Sequence, residues 1–140
     1  MSYAIPFASP ASGARERLPV ATSSIVSKES TALVVAARRL YEMRKARGDI
    51  IGDCLFSEPA WDILLDLFIS YHEGRQLSVS AVCIGARAPS ATALRYLAML
   101  TEAGLVQRTR DQTDGRRSHV QLSVAGRMRM AEALGMLIGR

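Results

Sequence analysis

The stretch SVSAVCIGARAPSATALRYLAMLTEAG, Ser78 to Gly104, decides the fold. The Ser78 hydroxyl can accept from the free amides of a first helical turn, so VSAVCIGA reads as a short helix. RAP then turns the chain, and SATALRYLAMLTEAG forms a second helix that ends at Gly104. Helix, tight turn and helix of this size make a helix-turn-helix. Ala93, Leu97 and Leu100 lie four and three residues apart and form the inward stripe of the second helix. Ser90, Thr92, Arg95 and Met99 then point away from the core, with Tyr96 at the margin.

Downstream, LVQRTR and HVQLS alternate as two strands around Asp114-Gly115, a strong hairpin signal, although the wider loop need not be a two-residue turn. Val120 and Leu122 should face the core, and Arg108 and Arg110 share one face. Ser123 can cap a last helix, VAGRMRMAEALGMLIG, with Met130, Leu134 and Leu137 or Ile138 on one side. Upstream, SEPAWDILLDLFISYHEG reads as a helix capped by Ser57, with Glu58 and Pro59 in its first turn and its end at Gly74. Trp61, Leu64, Leu65, Phe68 and Ile69 form its apolar face, so Trp61 reads as packing rather than a ligand platform. Asp62 and Asp66 read as a solvated face. Ser30 can cap a still earlier helix from Thr31 to Arg47, stopped by Gly48, whose basic RKAR suits the dipole of the last turn. Gly48 to Phe56 is a connector. Residues 1–28, with Pro6, Pro10 and Pro19 and no sustained period, read as a mobile tail.

The expectation is therefore a mainly α protein with a small β-hairpin: a helix-turn-helix and hairpin flanked by N- and C-terminal helices. A tail over 1–28 precedes a domain over 29–140. At 140 residues the chain is long enough for one core. No apolar run approaches a membrane span and the N-terminus lacks a secretory pattern, so a cytoplasmic protein without a membrane partner is expected.

The net charge of +5 is unevenly spread. Residues 1–83 hold nine Lys/Arg and nine Asp/Glu, whereas residues 84–140 hold nine arginines against four acids. Arginine forms bidentate bonds that match phosphate and guanine edges, so this excess points to nucleic acid beside the blander reading of a solvated basic face. A helix-turn-helix followed at once by a hairpin is the winged-helix layout. Its second helix, 90–103, can enter a DNA major groove, and the wing, 106–122, can reach the backbone or the neighbouring minor groove. Arg95 can grip guanine or phosphate, and Ser90 and Thr92 can donate to phosphate or meet a base edge. Arg108 and Arg110 lie beside the backbone, and Arg117 serves a phosphate or solvent.

The residues also carry a resemblance. Arg95, then Leu100-x-x-x-Gly104-Leu105-Val106-x-Arg108, Asp114-x-Arg116 and Leu122-Ser123-x-x-Gly126 resemble the pattern of the MarR family of winged-helix transcriptional regulators. The match covers roughly residues 57–131, with serine at 123 where the family has threonine. It implies that Arg116 enters the minor groove from the wing tip and that Asp114 orients the wing. It also implies a homodimer held by helices at 30–47 and 124–139, through Leu33, Ala37, Leu40, Leu134 and Leu137. A short final helix, about 16 residues, departs from the family. A small-molecule effector fits such a regulator, but no residue identifies one.

Other chemistry finds little footing. Cys54 and Cys83 lack the spacing of a zinc site or a disulfide framework. His72 and His119 show no carboxylate or cysteine partner at metal-ligand or triad spacing. No metal, cofactor or enzymatic activity is expected. The expected function is sequence-specific binding of near-palindromic double-stranded DNA by a homodimeric transcriptional regulator. The alternative is a winged-helix protein-interaction or dimerisation module with incidental DNA binding, which would not need surplus arginine on both helix and wing.

Overall fold

A computed structural model describes residues 20–52, 57–111 and 113–139, with side chains from Lys28 onward. Among these residues there are five helices and a three-stranded antiparallel sheet. The order is α1 (Val20–Ile51), α2 (Pro59–His72), β1 (Leu77–Ser78), α3 (Val79–Gly85), α4 (Ser90–Glu102), β2 (Val106–Arg110), β3 (Ser118–Leu122) and α5 (Val124–Leu137). The mainly α fold with a hairpin wing is the one read from the sequence. The sheet order is β1-β3-β2, so the two-residue β1, absent from that reading, lies along the far side of the hairpin.

α2 is the centre of the molecule. It packs on α1, α3, α4, α5 and β3, and this explains why no single face describes it. Ile63, Leu65, Leu67, Phe68 and Ile69 are all buried, while Trp61 and Leu64 are only partly so. Ser57 is not its cap. Glu58 holds that position without a side-chain bond, and Pro59, which has no amide to satisfy, fills the first helical position. Gly74 takes a left-handed conformation just past the helix end.

α1 is longer than expected at both ends. Val20–Lys28, assigned to the tail, continue the helix, and residues 1–19 lie outside the described residues. No proline follows Pro19 in this segment, and each residue added to an anchored helix gains one backbone bond without a new nucleus. Ser30 is thus mid-helix rather than a cap. Gly48 is helical and buried, and its carbonyl accepts from the Gly52 amide at 2.9 Å. The positive φ that marks the end falls at Gly52 instead.

The charged residues between α1 and α2 correct a second expectation. Asp62 is not on a solvated face. Its carboxylate accepts from Arg44 Nε at 2.6 Å and Nη2 at 3.2 Å, and the two side chains are only 4% and 12% exposed. Arg44 Nη1 also reaches Glu58 at 3.1 Å. Asp66 is half-buried, and burial raises its pKa against the lowering effect of Arg75.

Three of the five side chains expected at a dimer face are committed elsewhere. Leu33, Ala37 and Leu134 are buried in the chain's own core, because α1 and α5 pack on each other within one chain. Leu40 packs half-buried against that core, and only Leu137 is exposed. Among the described side chains, the large apolar ones that α1 and α5 expose are Val35, Met43, Ile50 and Ile51, and Val124, Met128, Met136 and Leu137.

α5 begins where expected. Ser123 Oγ accepts from the Gly126 amide at 3.0 Å and donates to the Gly104 carbonyl at 2.6 Å, while the Ser123 amide bonds Leu105 O at 2.9 Å. One serine thereby caps α5 and ties it to the turn after α4. A Cβ at position 126 would fall well inside van der Waals contact distance of the Leu105 carbonyl oxygen. Backbone cannot swing away as a side chain can, so Gly126→Ala is expected to cost about 1–3 kcal/mol of stability in denaturant unfolding. An unchanged midpoint would refute that packing account.

Candidate nucleic-acid interface

The helix-turn-helix is α3 and α4. Ser78 Oγ accepts from the Ala81 amide at 3.1 Å and caps α3, as its sequence indicated. The turn between the helices contains Arg87 at φ 55°, a left-handed conformation in a residue with a side chain. Its guanidinium reaches back to the Lys45 carbonyl at 3.4 Å and Asp49 at 3.3 Å on α1. Tyr41, also on α1, donates its hydroxyl to the Gly85 carbonyl at 2.8 Å. Burial, then the nearby Asp66 and Asp62, push that phenol up to about 12. The head of the molecule is therefore clasped to α1 at its turn.

α4 divides as its period requires. Ala93, Leu97 and Leu100 are buried against the core. Ser90, Arg95 and Met99 are exposed, Thr92 is half-buried, and Tyr96 packs part-buried against the core. Arg95 stands 5.5 Å from the centroid of the Tyr96 ring, close enough for a cation–π contact that steadies its stem. No side chain caps the helix: Pro89 occupies the capping position, and the first intrahelical amide bond is Ala93 to Pro89 O. Beside α4 lies an open groove of about 770 Å³ lined by Val79, Cys83, Ile84, Pro89, Ser90 and Leu94 among others. Ile84 there is 79% exposed. Cys83 is buried in α3, and Cys54 lies outside the described residues.

The wing is β2, β3 and the segment between them, paired Val106 with Leu122 through Arg110 with Ser118. Only its root is buried: Val106, Val120 and Leu122 are in the core, while Gln107 to Arg110 are exposed. The reversal is a four-residue turn, with the Arg117 amide on Asp114 O at 3.0 Å, rather than a two-residue Asp-Gly turn. Asp114 Oδ1 also accepts from the Arg116 amide at 3.1 Å, a side-chain turn that orders the tip.

The four wing arginines separate by their partners. Arg110 donates to the Gly115 carbonyl at 2.8 Å and so braces the turn. Arg117 Nε stands 3.9 Å from Asp114 Oδ2. The guanidinium groups of Arg108 and Arg116 make no hydrogen bond or ion pair among the described residues and are exposed to solvent. Arg127, from the same basic half, lies over the Tyr71 ring at 4.5 Å. The arginine excess is therefore partly structural: Arg87, Arg110 and Arg127 have contacts within the fold.

Sequence reasoning missed the partner of His119. Its Nε2 lies 3.3 Å from Asp111 Oδ2, eight residues back across the hairpin. Only the register of two strands brings them together, and no local spacing shows it. Asp111 Oδ1 accepts from both the amide and hydroxyl of Thr113, at 2.9 and 2.8 Å. The Thr113 bonds, with smaller help from His119, lower the Asp111 carboxyl to about 2. A depressed carboxylate stabilises the folded wing above its ordinary value near 3.8, and that contribution is lost as pH falls through about 2. The Thr113 amide resonance should therefore titrate near pH 2 in the folded chain. A midpoint near 4 would remove the bond as its cause.

No group of three or more His, Cys, Asp or Glu placed to hold a metal occurs among the described residues. No described helix is long and apolar enough to cross a membrane.

A family model described as a winged helix DNA-binding domain matches residues 56–126. No curated protein matches the sequence. Among solved structures, a single-residue variant of MepR from S. aureus superposes with a TM-score of 0.50 at 19% identity, over 72% of this chain and 72% of that one. A MarR family transcriptional regulator from Silicibacter pomeroyi gives a TM-score of 0.51 at 20% identity, over 72% of this chain and 65% of that one. At such identities the likeness is one of fold.

Proposed function

The chain belongs to the winged helix DNA-binding domain family, and from that premise we propose that it is a sequence-specific transcriptional regulator of the MarR type. The observation that carries this reading is the state of Arg116. The backbone of the wing tip is ordered by Asp114, yet the guanidinium it presents is exposed and has no partner within the described residues. A cation held out on an ordered turn suits insertion into a narrow minor groove. α4 supplies the second element: Arg95 exposed one turn into the helix, Ser90 and Thr92 near its start, and Met99 further along. An uncapped first turn leaves amide donors for a phosphate oxygen. Arg95 reads guanine through N7 and O6, while Arg108 and Arg117 neutralise phosphates.

On this reading the protein acts in the cytoplasm as a homodimer. Its two α4 helices meet major-groove faces about 34 Å apart, so the site is near-palindromic. Leu33, Ala37 and Leu134 no longer serve the dimer. The exposed side chains of α1 and α5, Leu137 among them, take their place. Selection from a random DNA pool tests the reading: an enriched two-fold motif, bound more weakly as salt rises, is expected. A pool that enriches nothing would reject it. The exposed Ile84 and the apolar groove beside α4 favour a second reading, a protein-interaction module. Absence of salt-dependent retention on heparin or DNA-cellulose would support that alternative.

A further inference from the structure

The open face of α4 is mostly apolar. Ala91, Leu94, Arg95, Ala98, Met99 and Glu102 are exposed along it, with Leu94 at 42% and Met99 at 53%. A lone exposed leucine on a protein surface calls for no explanation. These two, however, bracket Arg95 around the helix, Met99 one turn further on and Leu94 at the edge of the same face. The stretch from Leu94 to Met99 rises about 7.5 Å, which is about two base-pair steps. Ala91 and Ala98 carry only a methyl each and do not hold the helix off a groove floor. α4 has few other means of reading a base. It contains no Asn or Gln, the side chains that pair with adenine through N7 and N6. Thr101 donates its hydroxyl to the Leu97 carbonyl at 2.8 Å. Ser90 and Thr92 can bond several base edges and so discriminate weakly. Glu102, an acceptor suited to cytosine, is the last residue of the helix.

We propose that Leu94 and Met99 read thymine through its 5-methyl group, within about two base pairs of the guanine held by Arg95. This deepens the regulator reading and rests on it. Thymine is the one base that presents a methyl group in the major groove, and an apolar side chain is the contact that matches it. Packing that methyl against leucine or methionine takes apolar surface of both partners out of water. Cytosine at the same place would present its amino group to side chains that offer no acceptor, leaving a covered donor unpaired. Thymine is therefore favoured twice, by the methyl gained and by the stranded amine avoided. The half-site that α4 reads is a G·C pair flanked by A·T pairs, recognised at the thymine and not at the adenine.

The test uses the full chain and the duplex enriched from the random pool, with fluorescence anisotropy at fixed salt. The guanine is the position whose preference Arg95→Ala relaxes. Deoxyuridine replaces the thymines within about two base pairs of it, which removes the methyl and keeps every hydrogen-bonding group of the base pair. Affinity should fall about threefold to fourfold for each contacted methyl, and about tenfold over two half-sites. The double variant Leu94→Ala with Met99→Ala should bind the thymine duplex more weakly, and deoxyuridine should then cost it less than about twofold. Both side chains are exposed and alanine is the strongest helix former, so this variant should fold as the parent does. Equal affinity of the parent for the thymine and deoxyuridine duplexes would overturn the assignment. So would a selected site without thymine in that span, or a full deoxyuridine penalty in the double variant. Each of those results leaves the regulator reading standing, whereas a pool that enriches nothing rejects both.

Discussion

Arg44→Met should lose on the order of 3–5 kcal/mol of stability, the cost of stranding one member of a buried ion pair. The methionine preserves most of the apolar stem and removes the guanidinium. Asp62 would remain on a short side chain that is 4% exposed, with no route to water. Against a typical total of about 5–15 kcal/mol, that loss brings the chain near its unfolding threshold at moderate temperature. The mechanism has a stricter test in the double variant. Arg44→Met with Asp62→Leu removes both charges and should recover most of the loss, because an apolar pair of similar volume avoids the desolvation penalty. Denaturant unfolding of the four proteins gives the cycle. If the double variant is as unstable as Arg44→Met, the stranded charge is not the cause.

The second large effect concerns DNA. Arg95→Ala should lower affinity for the selected site by about 1–3 kcal/mol and relax the preference for guanine at one position of each half-site. Arg116→Ala should lower affinity with little change in that preference, since the minor groove offers mainly width and an A·T-versus-G·C pattern. Neither guanidinium bonds another part of the described fold, apart from the Arg95 stacking on Tyr96, so both variants should unfold at the parental midpoint. Together they should reduce binding by a factor on the order of 100 or more in a two-site complex. Fluorescence anisotropy at fixed salt provides the measurement. Parental affinity in the double variant would overturn the proposed interface.

How much of this could be read from the residues differs by element. The head and wing were legible because their signals are local: Ser78 and Ser123 cap within three residues, and the 93, 97, 100 stripe fixes the phase of α4. α2 was legible as a helix but not in its burial, because its polar stripe, Asp62 and Asp66, is itself buried or half-buried against other elements rather than turned to water. Asp62 read as solvated for a related reason. Its partner is eighteen residues away on another helix, and no spacing rule joins them. Leu33, Ala37 and Leu134 are a different case, being buried within one chain. A stripe at helical period shows that a face is covered, but not whether the cover is the same chain or another.

The clasp of Tyr41, Arg87 and Asp49 makes α1 a lever. The helix is about 48 Å long at 1.5 Å per residue, and it holds the reading head by the turn rather than by a flexible linker. In a two-fold assembly, the crossing angle of two such rods sets the distance between the two heads. A tilt of about 10° over an arm of about 30 Å, roughly twenty residues of helix, displaces its end by about 5 Å, more than one base-pair step. A small change in that angle would put both heads out of register with their half-sites without altering any contact inside either head.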